Sequence, residues 1–271
     1  MNGRSAKADT AILSGAETID LQEGGSRGVL LLHGFGDTPQ TLSLLAHRLH
    51  KTGYSVLVPL LPGHGRTMQA FRQSTAKDWI AAADESFAEL CQRTTQTSVV
   101  GLSMGGALAM VLAASAKNIA ALVLVAPYLG MPIGVRAAAM THWVWGRLVG
   151  EVNARNPRSI RNPVEREKNL AYGAVTGRAL FELWRVVRAA RKALPSVTAP
   201  TLMIQSREDP RISPEVAESA FGILGAQQKR LVWTEGAGHI ITVDYGRERV
   251  FHEVQMWLDA HNRPETTAAR T

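Results

Sequence analysis

The stretch Gly101-Leu-Ser-Met-Gly-Gly106 decides the fold of this chain. It follows the β-branched run Thr97-Ser-Val-Val100 and precedes an alanine-rich helical segment that begins at Ala107. Glycines surround Ser103 because the chain turns sharply from a strand into a helix, and side chains at those positions would collide with neighbouring elements. The pattern therefore predicts a serine whose hydroxyl is exposed at the end of a buried strand.

The rest of the chain predicts repeated strand and helix units. Six short runs are apolar on both faces, which is typical of buried parallel strands that have helices above and below them. These runs begin at Gly28, Ser55, Thr97, Ala120, Thr201 and Arg230. Helical spacing lies between them, with start signals at Thr38-Pro39 and Ser213-Pro214. We expect an α/β fold with a mostly parallel central sheet flanked by helices, and an antiparallel edge hairpin formed by 16–21 and the strand at Gly28.

A compositionally different module interrupts this pattern. Residues 127–195 hold 12 Lys and Arg against 4 Glu, a net charge of +8, whereas the whole chain has +7. They also contain three of the six tryptophans. We expect a core formed by 1–126 and 196–271, with 127–195 as a small basic helical cap inserted before the strand that carries the acid loop. Residues 264–271 are expected to be a frayed tail.

The charge of the cap has two interpretations. It is either a solvated helical face or a surface that attracts anionic membranes or acidic substrates. A nucleic-acid partner is disfavoured, because neither zinc-finger spacing nor a basic motif interleaved with aromatic residues accompanies the charge. The single cysteine, Cys91, excludes a disulfide within the chain. Residues 1–21 have no apolar block long enough for a signal-peptide core, so we expect a cytoplasmic protein.

A serine nucleophile needs a base, and the base needs a carboxylate that orients it. Among the eight histidines, His239 lies in a glycine-containing loop after the last strand. Asp209 follows the strand 201–206, and the adjacent Glu208 is its rival. The order Ser103, Asp209, His239 is the one typical of α/β-hydrolases. These three residues are therefore the predicted catalytic triad.

The loop His33-Gly-Phe-Gly36 ends the first parallel strand. In this architecture, backbone N–H groups from such a loop and from the residue after the nucleophile stabilise an oxyanion. The N–H groups of Phe35 and Met104 are the candidates. His33 itself is predicted to be structural and to fix the loop.

Five stretches together carry a family resemblance. They are Leu31-Leu-His-Gly-Phe35, Pro62-Gly-His-Gly65, Gly101-Leu-Ser-Met-Gly105, the Asp209 loop and Gly238-His-Ile-Ile-Thr-Val-Asp244. On these residues the chain resembles the small bacterial carboxylesterases and monoacylglycerol lipases of the α/β-hydrolase superfamily. The resemblance implies Ser103 as nucleophile, His239 as general base and then acid, and Asp209 as its orienter. It also implies a small cap over the active site and neither a metal nor an organic cofactor.

The expected activity is hydrolysis of carboxylic esters with short-to-medium acyl chains, monoacylglycerols included, through an acyl-enzyme on Ser103. Four apolar cap residues either line an acyl pocket or form the cap's own core. They are Ile133, Met140, Trp143 and Trp145. Two alternatives stay open: another triad-based activity such as that of a lactonase or C–C hydrolase, and a non-catalytic lipid-binding protein.

Overall fold

The computed structural model describes residues 11–116 and 118–262, so the predicted tail 264–271 lies outside the described residues. Nine strands occur in this part of the chain. In chain order they are β1 (Ile19–Leu21), β2 (Arg27–Leu32), β3 (Ser55–Val58), β4 (Gln96–Leu102), β5 (Ile119–Val125), β6 (Glu151–Asn153), β7 (Ala174–Thr176), β8 (Thr201–Ser206) and β9 (Lys229–Thr234). Seven of them form one sheet in the order β1-β3-β2-β4-β5-β8-β9, and β6 pairs with β7.

The large sheet is parallel except at one edge. Strands β2, β3, β4, β5, β8 and β9 pair in parallel, and β1 pairs antiparallel with β3, placing Ile19 opposite Val58. The predicted hairpin between β1 and β2 is therefore wrong. Both edges of β2 are already occupied by β3 and β4, so β1 adds to the free edge of β3.

Ten α-helices occur in the described ranges. They are α1 (Ser43–Lys51), α2 (Met68–Gln73), α3 (Ala76–Arg93), α4 (Met104–Ser115), α5 (Ile133–Met140), α6 (His142–Leu148), α7 (Pro163–Lys168), α8 (Gly177–Ala193), α9 (Pro214–Ile223) and α10 (Arg247–His261). None of them is long and apolar enough to cross a membrane.

Two apolar clusters cover the two faces of the sheet. Leu30 and Leu32 of β2 belong to the cluster that includes side chains of α3, α4 and α8. Val29 and Leu31 belong to the cluster that includes side chains of α1 and α10. Successive side chains of a strand point to opposite faces, so β2 is buried on both sides. This explains the continuous apolar run in its sequence.

The segment between β5 and β8 contains α5, α6, the β6–β7 pair, α7 and α8. Helix α8 buries Leu183, Val186 and Ala190 in the cluster that also holds α4. The inserted segment therefore returns to the core layer through α8 before β8 begins. The parallel strands β4, β8 and β9 all end at the same edge of the sheet, where their following loops meet.

Candidate active site

Ser103 occupies a strained turn between β4 and α4. Its φ of 55° and ψ of −118° place it outside the regions that residues other than glycine usually adopt. The backbone of the next strand holds this turn, because the Ser103 N–H donates to the carbonyl of Val125 at 3.0 Å. The Tyr128 N–H donates to the carbonyl of Ser103, also at 3.0 Å.

The glycines around Ser103 are required by space. A Cβ at Gly101 would lie 2.3 Å from the carbonyl oxygen of Gly105, and one at Gly105 would lie 1.9 Å from that of Leu32. A Cβ at Gly106 would lie 2.9 Å from Pro127 Cβ. Helix α4 therefore starts directly against the ends of the central strands, as the sequence pattern predicted.

The structure brings the three predicted triad residues together. The Nε2 atom of His239 lies 2.8 Å from Ser103 Oγ, and its Nδ1 atom lies 2.7 Å from Asp209 Oδ2. Each residue is less than a tenth exposed. This arrangement can move the Ser103 proton to the imidazole while the carboxylate holds the ring.

Four donors hold the Asp209 carboxylate. The backbone N–H groups of Arg211 and Ile212 donate to Oδ1 at 2.7 and 3.1 Å, and Gln205 Nε2 and the imidazole share Oδ2. Burial favours the neutral acid, but the positive charge of His239 and these hydrogen bonds outweigh it and lower the pKa of Asp209. An ionised carboxylate is thereby kept beside the base.

The rival acid, Glu208, lies elsewhere. Its Oε2 atom pairs with the guanidinium of Arg161, and its side chain is partly exposed. The structure therefore brings Asp209, and not Glu208, to His239.

The two predicted oxyanion donors border the nucleophile. Met104 is the first residue of α4, so its N–H has no acceptor within the helix. Phe35 lines the same cavity as Ser103. A Cβ at Gly34 would lie 3.4 Å from Ser103 Cβ, so the loop after β2 passes directly against the serine. Both N–H groups therefore belong to segments that border Ser103, and their role as oxyanion donors stays a prediction.

His33 holds the loop after β2. Its Nδ1 atom contacts the carbonyl of Gly34 at 3.0 Å, and its Nε2 atom accepts the N–H of Leu61 at 3.1 Å. Burial lowers the pKa of His33 to about 4, against the opposing effect of the Gly34 hydrogen bond. The ring of His64 packs edge-on against it at 5.1 Å. A neutral His33 that accepts one N–H and donates to one carbonyl fits the predicted structural role.

A cavity of about 990 Å³ extends from Ser103 and His239 beneath the inserted segment. It is lined on one side by the loop after β2 and on the other by the inserted segment. Apolar or small residues contribute most of this second wall: Pro132, Gly134, Val135, Ala138, Val152, Val175, Leu180 and Leu183.

The four cap side chains predicted to line an acyl pocket lie outside this cavity. Ile133, Met140 and Trp143 are 80%, 48% and 65% exposed. Trp145 packs within the cap and donates its Nε1–H to the carbonyl of Ala138 at 2.7 Å. Helical geometry explains the difference, because residues 134, 135 and 138 form the inner face of α5 while 133 and 140 lie on its outer face.

Sequence reasoning missed Asp37, which lines the cavity beside the loop after β2. It is buried, and its Oδ2 atom accepts a 2.7 Å hydrogen bond from Thr41 Oγ1. Its Oδ1 atom is buried without a hydrogen-bond partner. The sequence signal was its position directly after the His33–Gly36 loop, which borders the nucleophile. Its burial, which is unusual for a carboxylate, is visible only in the structure. Among residues 11–116 and 118–262, no group of three or more His, Cys, Asp and Glu side chains could hold a metal ion.

A serine on a strained strand-to-helix turn, with its base and acid on loops after later strands of a parallel sheet, defines the α/β-hydrolase class. The family model described as "Serine aminopeptidase, S33" matches residues 26–245. The chain belongs to this family.

Several known proteins are similar over most of their length. The thermostable monoacylglycerol lipase of Bacillus sp. (strain H-257) is 33% identical over 250 residues, covering 92% of this chain and 97% of the lipase. The carboxylesterase of Bacillus subtilis (strain 168) is 24% identical over 241 residues, covering 88% and 94%. A solved structure from work on LipS and LipT, two metagenome-derived lipolytic enzymes, has a TM-score of 0.85 at 30% identity, covering 93% of this chain and all of that one.

Proposed function

We propose that this chain hydrolyses carboxylic esters with short-to-medium acyl chains, monoacylglycerols included, through an acyl-enzyme on Ser103. The observation that carries the proposal is the continuous hydrogen-bonded path from Ser103 Oγ through His239 to Asp209. The similarity to a monoacylglycerol lipase and a carboxylesterase supports the choice of ester substrates.

The reaction has two halves. His239 Nε2 takes the hydroxyl proton while Ser103 Oγ attacks the ester carbonyl, and the N–H groups of Phe35 and Met104 receive the oxyanion. The imidazolium, held by Asp209, then gives its proton to the leaving alcohol, and the acyl group stays on Ser103. In the second half, His239 takes a proton from water, the hydroxide attacks the acyl-enzyme, and the proton returns to Ser103 as the acid leaves.

The size and lining of the cavity support the proposed substrate class. Its inner wall on the cap is mainly apolar, and its volume of about 990 Å³ lies near the upper end of the range for small-molecule sites. Val135, Ala138 and Leu180 offer an apolar surface to an acyl chain beside the reacting serine. We therefore expect activity to rise from acetyl to medium-chain esters.

The test combines covalent labelling with a substrate series. Purified protein is treated with a fluorophosphonate, the adduct is located by mass spectrometry, and p-nitrophenyl esters from acetate to palmitate are assayed. We expect an adduct on Ser103, and loss of kcat by about three orders of magnitude or more in Ser103→Ala. Ser98→Ala is the matched control, because Ser98 lies on the same strand but bonds Asn262 instead of the triad. Full esterase activity in Ser103→Ala would refute the assignment.

The same experiment tests the alternative activities and the non-catalytic lipid-binding alternative. A lactone, a β-diketone and an aminoacyl p-nitroanilide are assayed beside the esters, the last because the family model is described as an aminopeptidase. A labelled Ser103 with turnover of one of these compounds and none of the esters would replace the ester proposal. Absence of any adduct would favour the lipid-binding alternative.

The outer face of the cap supports a peripheral contact with anionic membranes as part of this proposal. Large apolar side chains on α5, α6 and the segment after them are exposed: Ile133, Met140, Trp143, Val144, Leu148 and Val149. The exposed Arg136 and Arg147 lie on the same two helices. Apolar side chains beside cations suit the boundary between lipid headgroups and acyl chains.

Vesicle sedimentation tests this contact. We expect the protein to bind vesicles of phosphatidylcholine with phosphatidylglycerol, and to bind phosphatidylcholine vesicles much less. The variant Trp143→Ser with Leu148→Ser should lose binding, while Ile223→Ser on α9 removes a similarly apolar exposed side chain from the core domain and should not. Equal binding by wild type and both variants would favour the alternative that the basic cap is only a solvated helical face. A cytoplasmic location is also part of the proposal, and fractionation of the source cells tests it.

A further inference from the structure

Asp244 is a buried carboxylate that the proposed reaction does not use. It is 2% exposed, and no ion pair of Asp244 occurs within the described residues. Four backbone N–H groups surround it instead. Its Oδ2 atom accepts from Gly238 at 2.7 Å and Arg161 at 2.9 Å, and its Oδ1 atom accepts from Asn162 at 2.8 Å and Tyr245 at 2.9 Å. One carboxylate therefore joins the cap to the loop between β9 and α10 that carries His239, which we call the histidine loop.

The cap residues concerned belong to one segment, 154–162, which contains a 3-10 turn at Pro157–Ser159 and which we call the strap. The strap contacts the histidine loop directly, because the carbonyl of Ser159 accepts the N–H groups of both His239 and Ile240 at 2.9 Å. The approach is close: a Cβ at Gly238 would lie 2.0 Å from the carbonyl oxygen of Arg158. The backbone around the catalytic base is thus held by the strap.

The strap is tied to the acid loop as well. Arg211 donates its backbone N–H to Asp209 Oδ1 at 2.7 Å. Its guanidinium reaches the strap, with Nε 3.2 Å from Ser159 Oγ and Nη2 2.5 Å from the carbonyl of Ala154. The loop that carries Asp209 follows β8 and the loop that carries His239 follows β9, and both loops contact the strap.

We infer that Asp244 is a positioning residue that holds the strap against the histidine loop and so keeps His239 in hydrogen-bond reach of Asp209 and Ser103. The inference rests on the proposed function, since it concerns the same triad. A displacement of about 1 Å at a reacting group costs on the order of 10²-fold in rate. The strap would then have to stay in place during catalysis, because its displacement would move His239.

The variant Asp244→Asn tests this role with little change in size. An amide has one acceptor oxygen, so whichever way it is turned, its NH₂ group faces two N–H donors. We expect kcat for a p-nitrophenyl ester to fall by about 10- to 100-fold, with KM changed by less than about threefold. The rate at which a small fluorophosphonate labels Ser103 should fall in parallel.

The matched control is Asp259→Asn. Asp259 also accepts hydrogen bonds that link distant segments, from Tyr54 Oη at 2.8 Å and Arg27 Nη1 at 3.0 Å. Arg27 begins β2, so this carboxylate lies toward the sheet edge opposite the strand ends that carry the triad. We expect Asp259→Asn to lower Tm and leave kcat unchanged when assayed well below its Tm.

A double-mutant cycle separates positioning from general destabilisation. If Asp244 acts by keeping His239 on Asp209, then Asp244→Asn should cost little further activity in an Asp209→Asn background. Fully additive losses in the cycle, or unchanged kcat in Asp244→Asn beside an active wild type, would overturn the inference. A wild type that neither labels nor turns over esters would instead refute the proposed function. If Asp244→Asn does not fold, Arg211→Met carries the same test from the acid side, and unchanged kcat there overturns the inference.

Discussion

The backbone N–H of Ser103 donates to the carbonyl of Val125, so the end of β5 supports the turn that carries the serine. The residue after Val125, Ala126, has a φ of 44°. Within residues 11–116 and 118–262, it and Ser103 are the two non-glycine residues with positive φ. Two adjacent strands therefore end in strained turns that support each other.

The strained turn at Ala126 leads to a first prediction. A β-branched side chain is strongly disfavoured at positive φ, so Ala126→Val should lower the free energy of unfolding by about 2 kcal/mol or more. Ala120→Val, the same change in the extended part of β5, should stay within about 0.5 kcal/mol of wild type. Urea denaturation measures both. Equal losses in the two variants would show that backbone strain at Ala126 is not the cause.

Neutralising each of the two neighbouring acids in turn provides a second prediction. Asp209→Asn keeps the size of the side chain but removes the charge that holds the imidazolium, so kcat should fall by about 10³- to 10⁴-fold. Glu208→Gln removes only the pair with Arg161 and should keep kcat within about threefold of wild type. Steady-state ester hydrolysis distinguishes them. A larger loss of kcat in Glu208→Gln than in Asp209→Asn would mean that Glu208, and not Asp209, orients His239.

A pair of glycines supplies a third prediction. In Gly105→Ala the new Cβ would meet the Leu32 carbonyl at 1.9 Å, so α4 would have to move away from β2 and both fold stability and activity should be lost. Gly222→Ala meets nothing within 4 Å and lies in α9, so it should stabilise the protein by up to about 1 kcal/mol. Thermal unfolding with an activity assay checks both. A folded, active Gly105→Ala would contradict the tight contact.

Asp37 gives a fourth prediction, on pH dependence. Burial raises the pKa of Asp37 to about 6, although hydrogen bonds from Thr41 and Thr38 and the charge of His239 oppose this. A raised folded-state pKa means that the stability contribution is fully present below about pH 4 and is lost as the pH rises through about 6. Asp37→Asn carries no such loss. Its stability relative to wild type should therefore increase by about 2 kcal/mol between pH 4 and pH 7.

Urea denaturation of both proteins across that pH range measures the difference. Asp259→Asn is again the control, because its carboxylate is partly exposed and bonded to Tyr54 and Arg27. A difference between Asp37→Asn and wild type that does not vary with pH would mean that Asp37 ionises normally in the folded protein.

The sequence predicted the sheet and the triad because their signals are local. Strands β2, β3, β4, β5 and β8 are buried on both faces and their sequences are continuous apolar runs, and the turn at Ser103 imposes glycines at fixed spacing. His239 and Asp209 follow strands whose parallel order brings their ends to one edge. Chain order and strand direction were therefore sufficient to place these three residues together.

The features that the sequence did not predict depend on contacts between distant segments. The pairing of β1 with β3 follows from occupied edges of β2, which no local pattern records. The inner face of α5 could not be identified, because apolar residues occur on both of its faces: Ile133 and Met140 outside, Val135 and Ala138 inside. The position of Asp244 depends on four N–H groups, two of them more than 80 residues away along the chain.

Strands β5 and β8 are neighbours in the sheet, with Leu122 opposite Thr201. The long insertion leaves the core at the carboxyl end of β5 and rejoins it at the amino end of the neighbouring β8, after α8 has packed back along the sheet, so its length can vary without disturbing the order of the strands. Exchange of this one inserted segment between related hydrolases is therefore a route by which substrate preference changes. A working chimera would still have to import a partner for Asp244, because the exchanged segment contains the N–H groups of Arg161 and Asn162 that this carboxylate accepts.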